Sequence, residues 1–130
     1  MSLYLRQLAL LMKYKLAIIT ALASIACSAL PLQARPSEAE MNARSESVGY
    51  IAAMKCFLNK GLIDQATGDR LVVQFVTEEP QNKPGVVWVQ TTTAGIAAVQ
   101  ALLPHFKPDC KSLTDGPRKI GEVLYPYIVQ

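Results

Sequence analysis

Ser47-Val48-Gly49-Tyr50-Ile51-Ala52-Ala53-Met54-Lys55-Cys56-Phe57-Leu58 carries the first architectural signal in this chain. Tyr50, Ile51, Met54, Phe57 and Leu58 fall at i, i+1, i+4, i+7 and i+8, the spacing of one helix face. Val48, Ala52 and Cys56 form a second stripe of smaller residues on another side. A helix that is apolar on two sides sits between partners, so this segment is expected to be the central helix. Gly61, just after Lys60, is its natural stop, because glycine takes a left-handed conformation at no steric cost.

Downstream, Asp64 is placed to cap a second helix, its carboxylate accepting from the free amides of the first turn. Leu71, Val72, Phe75 and Val76 recur at helical spacing, and Gly68 would allow a close approach. Glu78-Glu79-Pro80 ends that helix, and Gln81 to Gly85 reads as a loop. Leu71 to Thr77 and Val86 to Thr93 are both rich in β-branched and aromatic residues, so a β-hairpin over residues 71–93 stands as the alternative. Neither run alternates apolar with polar, as a half-buried antiparallel strand should. Helix is the reading for the first run, and the second is left open. Thr93 is expected to cap a helix through Ile96, Val99, Ala101, Leu102 and Leu103 that stops near Pro104. Asp115 and Pro117 mark the start of a last helix with Ile120, Val123, Leu124 and Tyr127 on its apolar face. The expected fold is therefore mainly α, a small four-helix domain over residues 47–130. Residues 35–46, polar and with Pro36 and three Glu, read as a flexible leader.

Upstream, Met12-Lys13-Tyr14-Lys15 is basic, and the 15 residues from Leu16 to Leu30 carry no charge. Pro31-Leu32-Gln33-Ala34 then gives a breaker and a small residue before Arg35-Pro36. This is the order of a secretory signal, with cleavage expected between Ala34 and Arg35 and Met12 as the better start. Two rival readings fit less well. A membrane anchor needs about 20 apolar residues, whereas the 19 from Leu16 to Ala34 include two Ser, a Thr, a Pro and a Gln. A lipoprotein needs a Leu three residues before its cysteine, and Cys27 follows Ser24-Ile25-Ala26. An exported protein, in the periplasm or an equivalent compartment, is the expectation, with membrane contact only through the signal segment.

Of the 13 Lys and Arg, three (Arg6, Lys13 and Lys15) precede Ala34, so ten basic residues face ten acidic ones in the remainder. The positive net charge belongs to the targeting segment, and no broad basic footprint for nucleic acid remains. Cys27 leaves with the signal, and an even pair in an exported chain predicts a Cys56–Cys110 disulfide.

Motifs for chemistry are sparse. His105, Asp109 and Cys110 lie close together, but a metal needs three or four ligands and the cysteine is committed to the disulfide. His105 is better read as a helix C-terminal residue facing free carbonyls. Ser112 and Thr91 to Thr93 lack a nucleophile motif. Asp64, Asp69, Glu78 and Glu79 could supply a carboxylate pair for glycoside hydrolysis, but spacing selects none. Trp88 reads first as core. As the single Trp it is also an interface candidate, together with Tyr125 and Tyr127, which cannot both face one side of an ordinary helix.

The blocks Tyr50-Ile51-Ala52-Ala53-Met54-Lys55-Cys56, Gly61-Leu62-Ile63-Asp64, Gly95-Ile96-Ala97-Ala98-Val99, Pro108-Asp109-Cys110 and Ile120-Gly121-Glu122 resemble small exported cyanobacterial proteins of unknown function. The order of helices and the closing Phe106-Lys107-Pro108-Asp109-Cys110 is more distantly similar to periplasmic immunity proteins of type VI secretion. That family usually carries further cysteines, which this chain lacks. The second resemblance implies an inhibitor, and neither supplies a catalytic residue. The expectation is a non-enzymatic binding module without a cofactor, its partner another envelope or exported protein. The alternatives are a small envelope hydrolase and a membrane-anchored structural protein.

Overall fold

A computed structural model of the chain describes residues 35–130. The expected signal segment over residues 1–34, with its expected cleavage after Ala34, lies outside the described residues. The first helix, α1 (Glu38–Asn59), opens on a reciprocal cap. Ser37 Oγ accepts from the Glu40 N–H at 3.1 Å, and Glu40 Oε2 accepts from the Ser37 N–H at 2.8 Å. This corrects the expected leader over 35–46, most of which is helical. The Ser37-x-x-Glu40 spacing satisfies two otherwise orphaned amides, which outweighs the polar composition. Met41, Ala43 and Ser45 in that segment are buried.

Further along, α1 has the two-sided character its stripes predict. Val48, Ala52 and Ala53 are fully buried, and Tyr50, Met54, Cys56 and Phe57 nearly so. It ends where glycine permits: Gly61 has φ +67°. The Leu62 N–H then donates to the Phe57 carbonyl at 2.9 Å and the Gly61 N–H to Leu58 at 3.0 Å, closing the helix end.

Asp64 caps α2 (Gln65–Glu78) through the Thr67 N–H at 2.7 Å. Gly68, Leu71 and Phe75 are its buried residues. A Cβ at Gly68 would meet Leu58 only at 3.5 Å, ordinary contact, so the glycine is not required there. A short 3-10 turn (Pro80–Asn82) leads straight into α3 (Lys83–Thr91), and α4 (Thr93–Leu102) follows after one extended residue. The loop expected over 81–85 is thus turn and helix, and the hairpin alternative over 71–93 is two helices. No strand occurs among the described residues; Phe106 and Leu113 form a single antiparallel bridge. Pro80 and Pro84 sit in first turns, where the missing N–H costs nothing. They therefore start helices as well as ending one.

The cap of α4 is Thr92, one residue before the expected Thr93. Its Oγ1 accepts from the Gly95 N–H at 3.0 Å and donates to the Trp88 carbonyl at 2.6 Å. The two segments Pro80–Thr91 and Thr93–His105 meet at 92°. No single described helix is long and apolar enough to cross a membrane. After a second 3-10 turn (Leu103–His105), residues 106–116 loop back to α5 (Pro117–Ile128). Ile120, Gly121, Leu124 and Ile128 are its buried residues, while Val123 and Tyr127 lie at the margin.

The described residues form five α-helices, one more than the expected four, with α1 in the middle. α3 and α4 pack closely on it, α2 and α5 more lightly, and α5 packs chiefly on α4. Cys56 on α1 and Cys110 in the last loop form the disulfide, Cα to Cα 5.7 Å, and both are buried. The loop fits its anchor through a left-handed Cys110, φ +61°. Two glycines set the helix spacing. A Cβ on Gly85 would collide with the Ala43 carbonyl of α1, and one on Gly95 with the Trp88 carbonyl of α3, so α3 approaches α1, and α4 approaches α3, at backbone distance.

Candidate functional site

Among the aromatic residues singled out for contact, Trp88 faces inward. Only 9 % of it is exposed, and the guanidinium carbon of Arg44 lies 4.8 Å from its ring centroid. Arg44 also donates from Nη1 to the Ile128 carbonyl at 2.7 Å. One side chain of α1 therefore covers the indole of α3 and satisfies an orphan carbonyl at the end of α5. Burial lowers the Arg44 pKa, with the Glu40 charge opposing the shift. Tyr125 and Tyr127 are both half-buried on α5, so neither is the fully exposed ring that a straight helix would demand. The Tyr125 hydroxyl is closed off from solvent and has no hydrogen-bond partner among the described residues.

His105 does not serve the helix carbonyls as expected. Its Nδ1 lies 2.6 Å from Asp115 Oδ2, and Asp115 Oδ1 lies 3.3 Å from Lys119 Nζ. Asp115 is thereby spent on the histidine, and α5 has Gly116 as its cap with no side-chain bond. The His105 carbonyl accepts from Thr114 N–H at 2.7 Å and Thr114 Oγ1 at 3.1 Å. Together these bonds close the neck of the Cys110 loop. The hydrogen bond from His105, then the Lys119 contact, hold the Asp115 carboxyl below the usual carboxylate range. Asp109 accepts from the Lys111 N–H at 3.0 Å within the same loop. Among the described residues no three His, Cys, Asp or Glu side chains converge as metal ligands.

The carboxylates considered as a catalytic pair are dispersed. Asp64 caps α2, Asp69 accepts from Gln65 Nε2 at 2.9 Å, and Glu78 accepts from Gln74 Nε2 at 2.7 Å. Glu79 does share a donor with a second carboxylate, Glu46 of α1, which spacing could not reveal. Both accept from Asn82 Nδ2, at 2.5 and 2.9 Å, and Asn82 is 1 % exposed. The amide sits between the two carboxylates. These groups fasten the Pro80–Asn82 turn to α1, aided by Ser47 Oγ donating to the Asn82 carbonyl at 3.3 Å. Beside them Tyr50 stacks on Phe75, centroids 4.2 Å apart, and donates to the Leu71 carbonyl at 2.9 Å. Burial first, then Glu78 and Glu79, push its pKa up to about 12. The hydroxyls of Thr91 and Thr92 are likewise occupied, donating to the carbonyls of Val87 and Trp88.

Among the described residues four large apolar side chains are exposed: Leu62, Val73 of α2, Val87 of α3 and Ile96 of α4. No Asp, Glu, Lys or Arg lies between Lys83 and Lys107. On this run Val87 and Ile96 are each 48 % exposed, on the solvent sides of α3 and α4. Gln90, Thr91, Thr93 and Gln100 are their exposed companions. The signal was in the sequence as an uncharged run too long for one helix of this fold, half lining the core and half facing out. No protein-family model, curated protein or solved structure matches the chain.

Proposed function

We propose that the chain is an exported, non-enzymatic binding module that engages another exported or envelope protein through the uncharged solvent sides of α3 and α4. The observation that carries this reading is the half exposure of Val87 and Ile96 on a segment with no charged side chain. Burying the exposed part of each side chain would contribute about 1 kcal/mol. A partner that placed a charge there would leave it unpaired and desolvated, so the surface selects an uncharged, apolar counterpart. The groups best suited to chemistry are engaged in structural contacts: His105 with Asp115, Glu46 and Glu79 with Asn82. The disulfide suits an oxidising compartment, in line with the signal-like N-terminus. Among such binders, the resemblance to immunity proteins favours an inhibitor.

The test is capture from the cell envelope by residues 35–130. Val87→Glu/Ile96→Glu, with unchanged circular dichroism, should lower partner recovery at least tenfold, and recovery by the unaltered protein should respond weakly to salt. Full recovery by the double variant would overturn the assignment of the surface. Turnover of a substrate that disappears on His105→Ala would overturn the binding reading itself.

A further inference from the structure

We draw no further inference here: the strongest candidate, the Glu46 and Glu79 carboxylates around Asn82 where the Pro80–Asn82 turn meets α1, is an acidic cluster whose two members share the Asn82 amide, with no second feature that points to a ligand.

Discussion

Arg44 lies over the ring of Trp88, its guanidinium carbon 4.8 Å from the centroid, while donating to the carbonyl of Ile128. Residues from three helices thus share one cation. Arg44→Met keeps the aliphatic stem and removes both polar contacts, and is expected to cost about 1–3 kcal/mol. Trp88→Ala should cost about 3–5 kcal/mol, because it empties a buried site. Urea unfolding followed by far-UV circular dichroism measures both. An unchanged midpoint for Trp88→Ala would mean that the indole does not hold α3 to α1.

The same substitution should have opposite signs at two glycines. Gly85→Ala drives a Cβ into the Ala43 carbonyl, where backbone must move. A loss of about 2 kcal/mol or more is expected. Gly49 lies inside α1 with nothing within 4 Å of its Cβ position. Gly49→Ala should therefore stabilise by about 0.5–1 kcal/mol, through lower entropy of the unfolded chain and better helix propensity. Thermal midpoints of the pair decide the matter.

Joining residues 54 apart in sequence, the disulfide should contribute roughly 4 kcal/mol in the chain-entropy model. Cys110→Ser is expected to lower the unfolding midpoint accordingly. Because both cysteines are buried, the native protein should resist reductant until it opens, and peptide mapping without reductant should recover the linked pair. Free thiols on both residues in the native protein would contradict the bond.

Stability should fall in acid partly through Asp115. Its pKa is depressed in the folded state by His105 and then Lys119. A depressed carboxylate binds its proton more readily in the unfolded chain. Its contribution is therefore full above the unfolded-state pKa and is lost as pH falls through the folded one. Asp64, depressed chiefly by its hydrogen bonds with Thr67, runs in the same direction. Urea midpoints taken from neutral pH downward should decline less steeply for Asp115→Asn than for the unaltered chain. Parallel acid limbs would remove Asp115 from the account.

The two stripes on Tyr50 to Leu58, the Gly61 stop and the Asp64 cap were all legible in the sequence. Each depends on residues within one or two helical turns, where backbone geometry alone brings side chains together. The Ser37–Glu40 cap was equally local and was hidden only by the polarity of its surroundings. For 86–93, β-branched residues left helix and strand undecided, and burial against α1 settled it. The uncharged run from Pro84 to Phe106 could also have been noticed, since it needs only a count of charges.

By itself, then, the chain specified its helical character, most of its helix ends and the pairing of Cys56 with Cys110. Those follow from short-range periodicity, capping and the presence of just two cysteines downstream of the expected signal. Which face of Trp88 meets Arg44, that Asn82 comes between Glu46 and Glu79, and that Asp115 turns to His105 depended on how the helices dock. Those partners are separated by 44, 36 and 10 residues. Their meeting is governed by helix spacing, set where Gly85 lets α3 reach the α1 backbone, and by the loop that Cys110 draws back to α1. No periodicity encodes such distances, because they arise only when whole helices pack.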